Sequence, residues 1–209
     1  MNTPAFLEDF SPDIELELKN ILAERKSPLY NMMRYHLGWI DRNGVSRNGS
    51  TGKRLRPGLC LLACEAVGGV AKTCLPVAAA IELIHNFSLI HDDIQDDDVE
   101  RRHFPTVWSV WGKPQAINAG TAMRVVASLA VSSLNDANIP VEKQLHIQRL
   151  LDEGSLILVE GQYMDIDFES RFDIKVEHYL EMIGKKTAAL IGSSLQVGAL
   201  IGTENESVV

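Results

Sequence analysis

Apolar residues recur three and four positions apart along most of the chain. Ser11 before Pro12, a polar N-cap followed by proline at the first helical position, precedes Ile14, Leu18, Ile21 and Leu22 and predicts a helix over 12–26. The same spacing predicts helices over 29–40, 56–67, 75–98, 115–134 and 141–165, and helical spacing again over 174–201. A polar, glycine-rich loop spans 41–52, Gly68 and Gly69 close the third helix, and 100–112 reads as a loop holding Pro105. No alternating run bounded by hairpin turns and no glycine-rich strand-to-helix turn occurs, so neither a sheet nor a Rossmann unit has support. The expected fold class is all-α. Residues 77–90 and 188–201 are apolar around most of the helix and are expected at the centre of a bundle.

Composition narrows this picture. Of 209 residues, 45% are apolar and 23% charged, which fits a globular chain with a sizeable core. Twenty basic against twenty-eight acidic residues give a net charge of −8, so sequence-independent nucleic-acid binding is not expected. Three cysteines, Cys60, Cys64 and Cys74, argue for buried thiols in a reducing, cytoplasmic setting rather than a disulfide framework. The N-terminus has no signal-peptide pattern, and no membrane span is expected. The closest candidate, 188–202, is short and interrupted by glycines, serines and Gln196.

The chemistry concentrates where the long apolar helix ends in LIHDDIQDDD. Asp92 and Asp96 are four apart, hence on one face and about 5–6 Å apart at Cβ, where like charges repel unless a cation lies between them. Carboxylate oxygens suit Mg²⁺, which keeps waters and is shared with substrate phosphates. Acids at a helix C-terminus also oppose the helix dipole, and local rules broken together often mark a functional site. An EF-hand is excluded by spacing. GKRLRP at 52–57 puts Lys53 and Arg56 at a helix start that favours anions, but lacks the Walker A pattern. Arg101 and Arg102 follow the aspartates, and Lys185, Lys186 and Thr187 open the last apolar helix. Acids plus several separate bases suit a diphosphate, bridged by Mg²⁺ and neutralised by Arg and Lys as a leaving group.

GKRLRP, ELIHNFSLIHDDIQDDDVERRHFPTVW, GQYMD and GKKTAAL, in that order, resemble the motifs of the trans-isoprenyl diphosphate synthases, the polyprenyl synthetase family. The resemblance implies an isoprenoid synthase-type helical bundle around an apolar cavity, and a single domain over 1–209 that stops before the family's second aspartate-rich motif. It implies that Lys53, Arg56, His85 and Arg102 hold isopentenyl diphosphate and that Arg101 and Lys186 hold an allylic diphosphate (dimethylallyl, geranyl or farnesyl). Asp92, Asp93 and Asp96 would carry Mg²⁺, with Gln162 and Thr187 beside a developing allylic cation. Phe87 resembles the aromatic stop of short-chain members. With Ser88, Ile84 and Ile81 spaced along the helix behind Asp92, it would gauge a C15 to C20 product, C20 favoured. A homodimer is implied too. Thr121 and His103 depart from the family pattern, which has an acid and a glycine there. Two other readings are a non-catalytic partner subunit of a full-length synthase and a class I terpene cyclase, although a cyclase has no need of GKRLRP.

Overall fold

A computed structural model describes residues 5–47, 52–134, 139–205 and 207. Part of the predicted polar loop, 48–51, lies outside the described residues. Among the described residues, nine α-helices carry the fold: α1 (Ala5–Ala23), α2 (Pro28–His36), α3 (Leu55–Ala66), α4 (Leu75–Gln95), α5 (Val107–Trp111), α6 (Lys113–Ser132), α7 (Val141–Glu169), α8 (Val176–Ile183) and α9 (Ala189–Gly202). The fold is an all-α bundle, as the periodicity led us to expect.

The core forms where helices are apolar on several faces. Val77, Ala78, Ala79, Ala80, Ile81, Leu83 and Ile84 of α4 are all buried, enclosed by α1, α3 and α6. α3 packs on α9 so closely that a Cβ on Gly198 would lie 2.1 Å from the Cys60 carbonyl oxygen. Cys60, Cys64 and Cys74 are free, fully buried thiols, as expected. Among the described residues one helical stretch, residues 71–95, is long and apolar enough to cross a membrane, rather than 188–202; 67% of its apolar window is buried inside the protein.

Several boundaries differ from the sequence expectation for local reasons. α1 spans Ala5–Ala23, with Pro12 inside it rather than at its start. The apolar stripe continues backwards through Phe10 and buried Leu7, and that packing offsets the hydrogen bond proline forfeits. α2 stops at His36 because Gly38 takes φ +84° and closes a Schellman cap, Trp39 N–H donating to Arg34 O and Gly38 N–H to Tyr35 O, both at 2.9 Å. α4 ends at Gln95, three residues early. Asp97 occupies the left-handed position at φ +55°, and Asp98 N–H reaches back to Asp93 O at 3.0 Å. The predicted loop at 100–112 contains a two-strand ladder, Glu100–Arg101 (β1) against Phe104–Pro105 (β2), followed by α5. Its two-residue turn, Arg102 and His103, has φ +54° and +66°, a conformation ordinarily served by Asn-Gly, so no residue signal announced it. Finally, 174–201 is not one helix: Gly184–Ala188 forms a π-helical turn between α8 and α9.

Candidate active site

The C-terminal half of α4, the middle of α7 and the π-helical turn converge on one cavity of about 130 Å³ lined by Arg56, His85, Ser88, Leu89, Asp92, Leu158, Gln162, Lys186 and Thr187. Six of these were candidates for the polar site from the sequence, drawn from stretches up to 131 positions apart in number. The π-turn widens the helix where Lys186 must face α7, and π-bulges recur at functional sites. Gly161 lets α7 press against that turn: a Cβ there would sit 2.2 Å from the Lys186 backbone nitrogen. Lys186 Nζ consequently reaches Asp165 Oδ2 at 2.5 Å and Asp92 Oδ1 at 3.3 Å. Burial pulls its pKa down, but the two carboxylates outweigh that and hold it above the usual lysine value.

Helical spacing divides the aspartates. Asp92 and Asp96 share a face, whereas Asp93 lies roughly 100° round the helix and is buried, its Oδ1 accepting from Arg101 Nε at 2.5 Å. Arg101 Nη2 also donates to Asp92 Oδ2 at 3.3 Å. Burial drives the Asp93 carboxyl up to about 6 against the pull of Arg101. Asp96, the C-cap of α4, is also raised, by burial and then by repulsion from Asp92. Among the described residues, no three His, Cys, Asp or Glu side chains converge as a ready metal cage. Mg²⁺ needs none, since one or two carboxylates, waters and substrate phosphates complete its shell. The donor set fits through Asp92 and Asp96, two mutually repelling carboxylates on one face. Asp93, expected as a third ligand, is paired through Oδ1 with Arg101.

On the other side, Arg56 Nη1 lies 3.4 Å from His85 Nε2. Burial, and then Arg56, Arg102, Arg101 and Arg54, push the His85 pKa down to about 3, so it is neutral at pH 7 and its Nε2 accepts from Arg56. Gly52 brings the GKRLRP loop onto Arg102, whose guanidinium a Cβ at Gly52 would meet at 2.9 Å. Lys53 is exposed, with no ion pair among the described residues. Thr121 is exposed on α6 and lines neither cavity.

A second cavity of about 200 Å³ adjoins the first, sharing Ser88, Leu158 and Gln162, and continues along Phe87, His91, Gln95, Val159, Tyr163 and Ile166. Phe87 is buried at its wall, edge-on to His91 with ring centroids 5.8 Å apart, and Gln162 Nε2 donates to Gln95 Oε1 at 3.1 Å. Ile84 and Ile81 line neither cavity. They are enclosed in the core because α1, α3 and α6 cover the first half of α4, so the expected stripe ends at Ser88 and Phe87.

Two residues were missed. Asp165, within GQYMD, anchors Lys186. Arg54 is 2% exposed at φ +48° and donates to Glu82 Oε1 at 2.5 Å and Glu15 Oε2 at 2.8 Å, fixing the start of α3 and hence Arg56. Nothing local in the sequence marked Arg54, whose partners lie 28 and 39 positions away.

The polyprenyl synthetase family model matches residues 39–209. The chain belongs to the polyprenyl synthetase family. It is 42% identical over 191 residues to a (2E,6E)-farnesyl diphosphate synthase of Mycobacterium tuberculosis, covering 90% of this chain and 51% of that protein. It is 38% identical over 205 residues to a geranylgeranyl diphosphate synthase of the same organism, covering 98% and 57%. The structure of a polyprenyl synthetase from Streptomyces coelicolor A3(2) superposes with a TM-score of 0.90 at 37% identity, covering 99% of this chain and 60% of that one. The chain thus spans between half and three fifths of the length of these polyprenyl synthetases. The all-α bundle is therefore of the isoprenoid synthase type, as the motifs implied.

Proposed function

We propose that this protein serves a short-chain trans-prenyl diphosphate synthase activity, condensing isopentenyl diphosphate with an allylic diphosphate (dimethylallyl, geranyl or farnesyl) to a C15 to C20 product, C20 favoured. The observation that carries this reading is the junction of a charged cavity with an apolar one at Ser88, Leu158 and Gln162, which suits a substrate with an anionic head and a hydrocarbon tail. The names of the farnesyl and geranylgeranyl synthases it resembles support the same chemistry.

In this reading Arg101 and Lys186 hold the allylic diphosphate and release their carboxylate partners to it. Asp92 and Asp96 would hold Mg²⁺, which supplies charge neutralisation for a departing diphosphate. The allylic C–O bond breaks and its electron pair leaves with the diphosphate. The double bond of isopentenyl diphosphate, held by Lys53, Arg56, neutral His85 and Arg102, donates its π pair to form the new C–C bond. Loss of a proton from the adjacent carbon to the departed diphosphate restores a double bond. Gln162 and Thr187 offer dipoles to the transient cation, and Leu158 and Phe87 keep out the water that would capture it. We infer further that the protein works as a homodimer and in the cytoplasm, where its three buried thiols stay reduced.

The test is an assay with radiolabelled isopentenyl diphosphate, Mg²⁺ and geranyl or farnesyl diphosphate. Labelled C15 or C20 product is expected. No product, with Mg²⁺-dependent diphosphate binding retained, would favour a partner subunit; product formed without isopentenyl diphosphate would favour a cyclase.

A further inference from the structure

Behind the arginine hairpin lies a separate cavity of about 30 Å³, walled by α2, the segment at Arg47, β1–β2 and the end of α4. Three side-chain atoms among the residues lining it, His36 Nε2, Arg47 Nε and Asp93 Oδ2, are buried without a hydrogen-bond partner. Its walls are fixed: the Arg47 guanidinium lies 3.6 Å from the Phe104 ring centroid, Tyr35 Oη donates to Pro105 O at 2.8 Å, and Thr106 Oγ1 donates to Asp98 O at 2.8 Å.

The three orphaned atoms differ in what they require. A guanidinium nitrogen only donates, a carboxylate oxygen only accepts, and the ring nitrogen of a neutral histidine does one or the other. Burial, followed by Arg102 and Arg101, pushes His36 down to about 3, so it is neutral. A halide would accept from Arg47 but has no proton for Asp93, and an ammonium-type cation has no lone pair for Arg47. One molecule that donates and accepts satisfies all three, and the volume exceeds the ~10–15 Å³ that a water requires.

We propose that this cavity binds one structural water shared by His36, Arg47 and Asp93, and that His36 and Arg47 thereby act as positioning residues for the Asp93–Arg101 pair. The water fixes Oδ2 of Asp93, leaving Oδ1 directed at Arg101 Nε. The guanidinium of Arg101 then keeps its orientation when Asp92 is drawn away. The positioning role, though not the water site, rests on the reading that Arg101 receives a diphosphate.

A high-resolution crystal structure grown without halide and then soaked in bromide tests the site. A single density peak at hydrogen-bond distance from all three atoms, with no bromide signal, is expected; a bromide peak, or three side chains bonded directly to one another, overturns it. Calorimetry with inorganic pyrophosphate and Mg²⁺ tests the role. His36→Phe is expected to weaken binding about tenfold or more, as loss of an outer-shell partner does, and His36→Gln to restore most of it. Arg47→Met and Arg47→Lys form a second pair should His36→Phe fail to fold. Equal affinity across the series overturns the positioning role. A wild-type protein that binds no pyrophosphate overturns the diphosphate reading instead, and the density then decides the water site alone.

Discussion

Gly161 is the most exacting contact around Lys186. A Cβ there would sit 2.2 Å from the Lys186 nitrogen and 2.7 Å from the Lys185 carbonyl carbon, about 1.2 Å short of ordinary 3.4 Å contact. The obstructing atoms are backbone on both sides, so Gly161→Ala must part α7 from the π-helical turn or unwind the turn. Overpacking of this kind costs about 1–3 kcal/mol. Helix propensity acts in the opposite direction, since Ala improves on Gly by about 1 kcal/mol. Gly192→Ala isolates that second effect, because nothing lies within 4 Å of a Cβ at Gly192 in α9. The two variants should therefore differ by about 1–3 kcal/mol in urea unfolding, or roughly 2–12 °C in melting temperature for a chain of this size. A displacement near 1 Å also moves Lys186 from Asp92 and Asp165, and misplacement on that scale costs about 10²-fold where geometry is critical. Pyrophosphate binding with Mg²⁺ should be lost in Gly161→Ala and kept in Gly192→Ala. Equal stability and equal binding in the two variants would refute the argument that Gly161 sets the place of Lys186.

Phe87→Ala should lengthen the product, read by chromatography of dephosphorylated prenols, and cost up to about 3–5 kcal/mol as a buried aromatic truncation; an unchanged chain length would show that Phe87 is not the stop. His103→Gly should stabilise the protein by about 1 kcal/mol, because an exposed side chain at φ +66° is relieved of left-handed strain. Thermal melts check this, and a lower melting temperature would mean the side chain contributes something its exposure does not reveal. His36 and His85 titrate near 3 in the folded protein and near 6.5 when unfolded, so between those values the unfolded chain binds protons the folded one refuses. Stability should fall as pH drops below 6.5, by up to about 1.4 kcal/mol per pH unit for each histidine, while Asp93, raised to about 6, opposes the loss between pH 6 and 4. Urea unfolding at pH 7 and pH 5 measures the slope, and His36→Asn should reduce it.

What was legible from sequence was whatever depends on repeating period. Stripes such as Ile14, Leu18 and Leu22 marked the first helix, and the four-residue step from Asp92 to Asp96 set both on one face. The same arithmetic, carried one residue further, turns Asp93 away from that face toward Arg101. Features that depend on a single unusual dihedral escaped. Arg102 and His103 make a hairpin turn without glycine, Asp97 ends α4 where a continuing acidic run read as helix, and the widened turn at Gly184–Ala188 has no signature in GKKTA.

Long-range ion pairing escaped as well, and with consequence. Arg54 sits between two residues that invited assignment, Lys53 and Arg56, yet it is the one taken inside. Its guanidinium joins Glu15 of α1 to Glu82 of α4, and Asn86 Nδ2 donates to the same Glu82 oxygen at 2.8 Å. Removing either partner of such a pair leaves a buried charge, which is costly, so the arrangement constrains α1, the start of α3 and α4 together. Glu82 is one helical turn before His85, and Arg54 is two residues before Arg56. The facing of Arg56 and His85 across 3.4 Å therefore follows from an ion pair that itself touches neither cavity. The cationic wall of the site is set from beneath, by a buried arginine held between two glutamates.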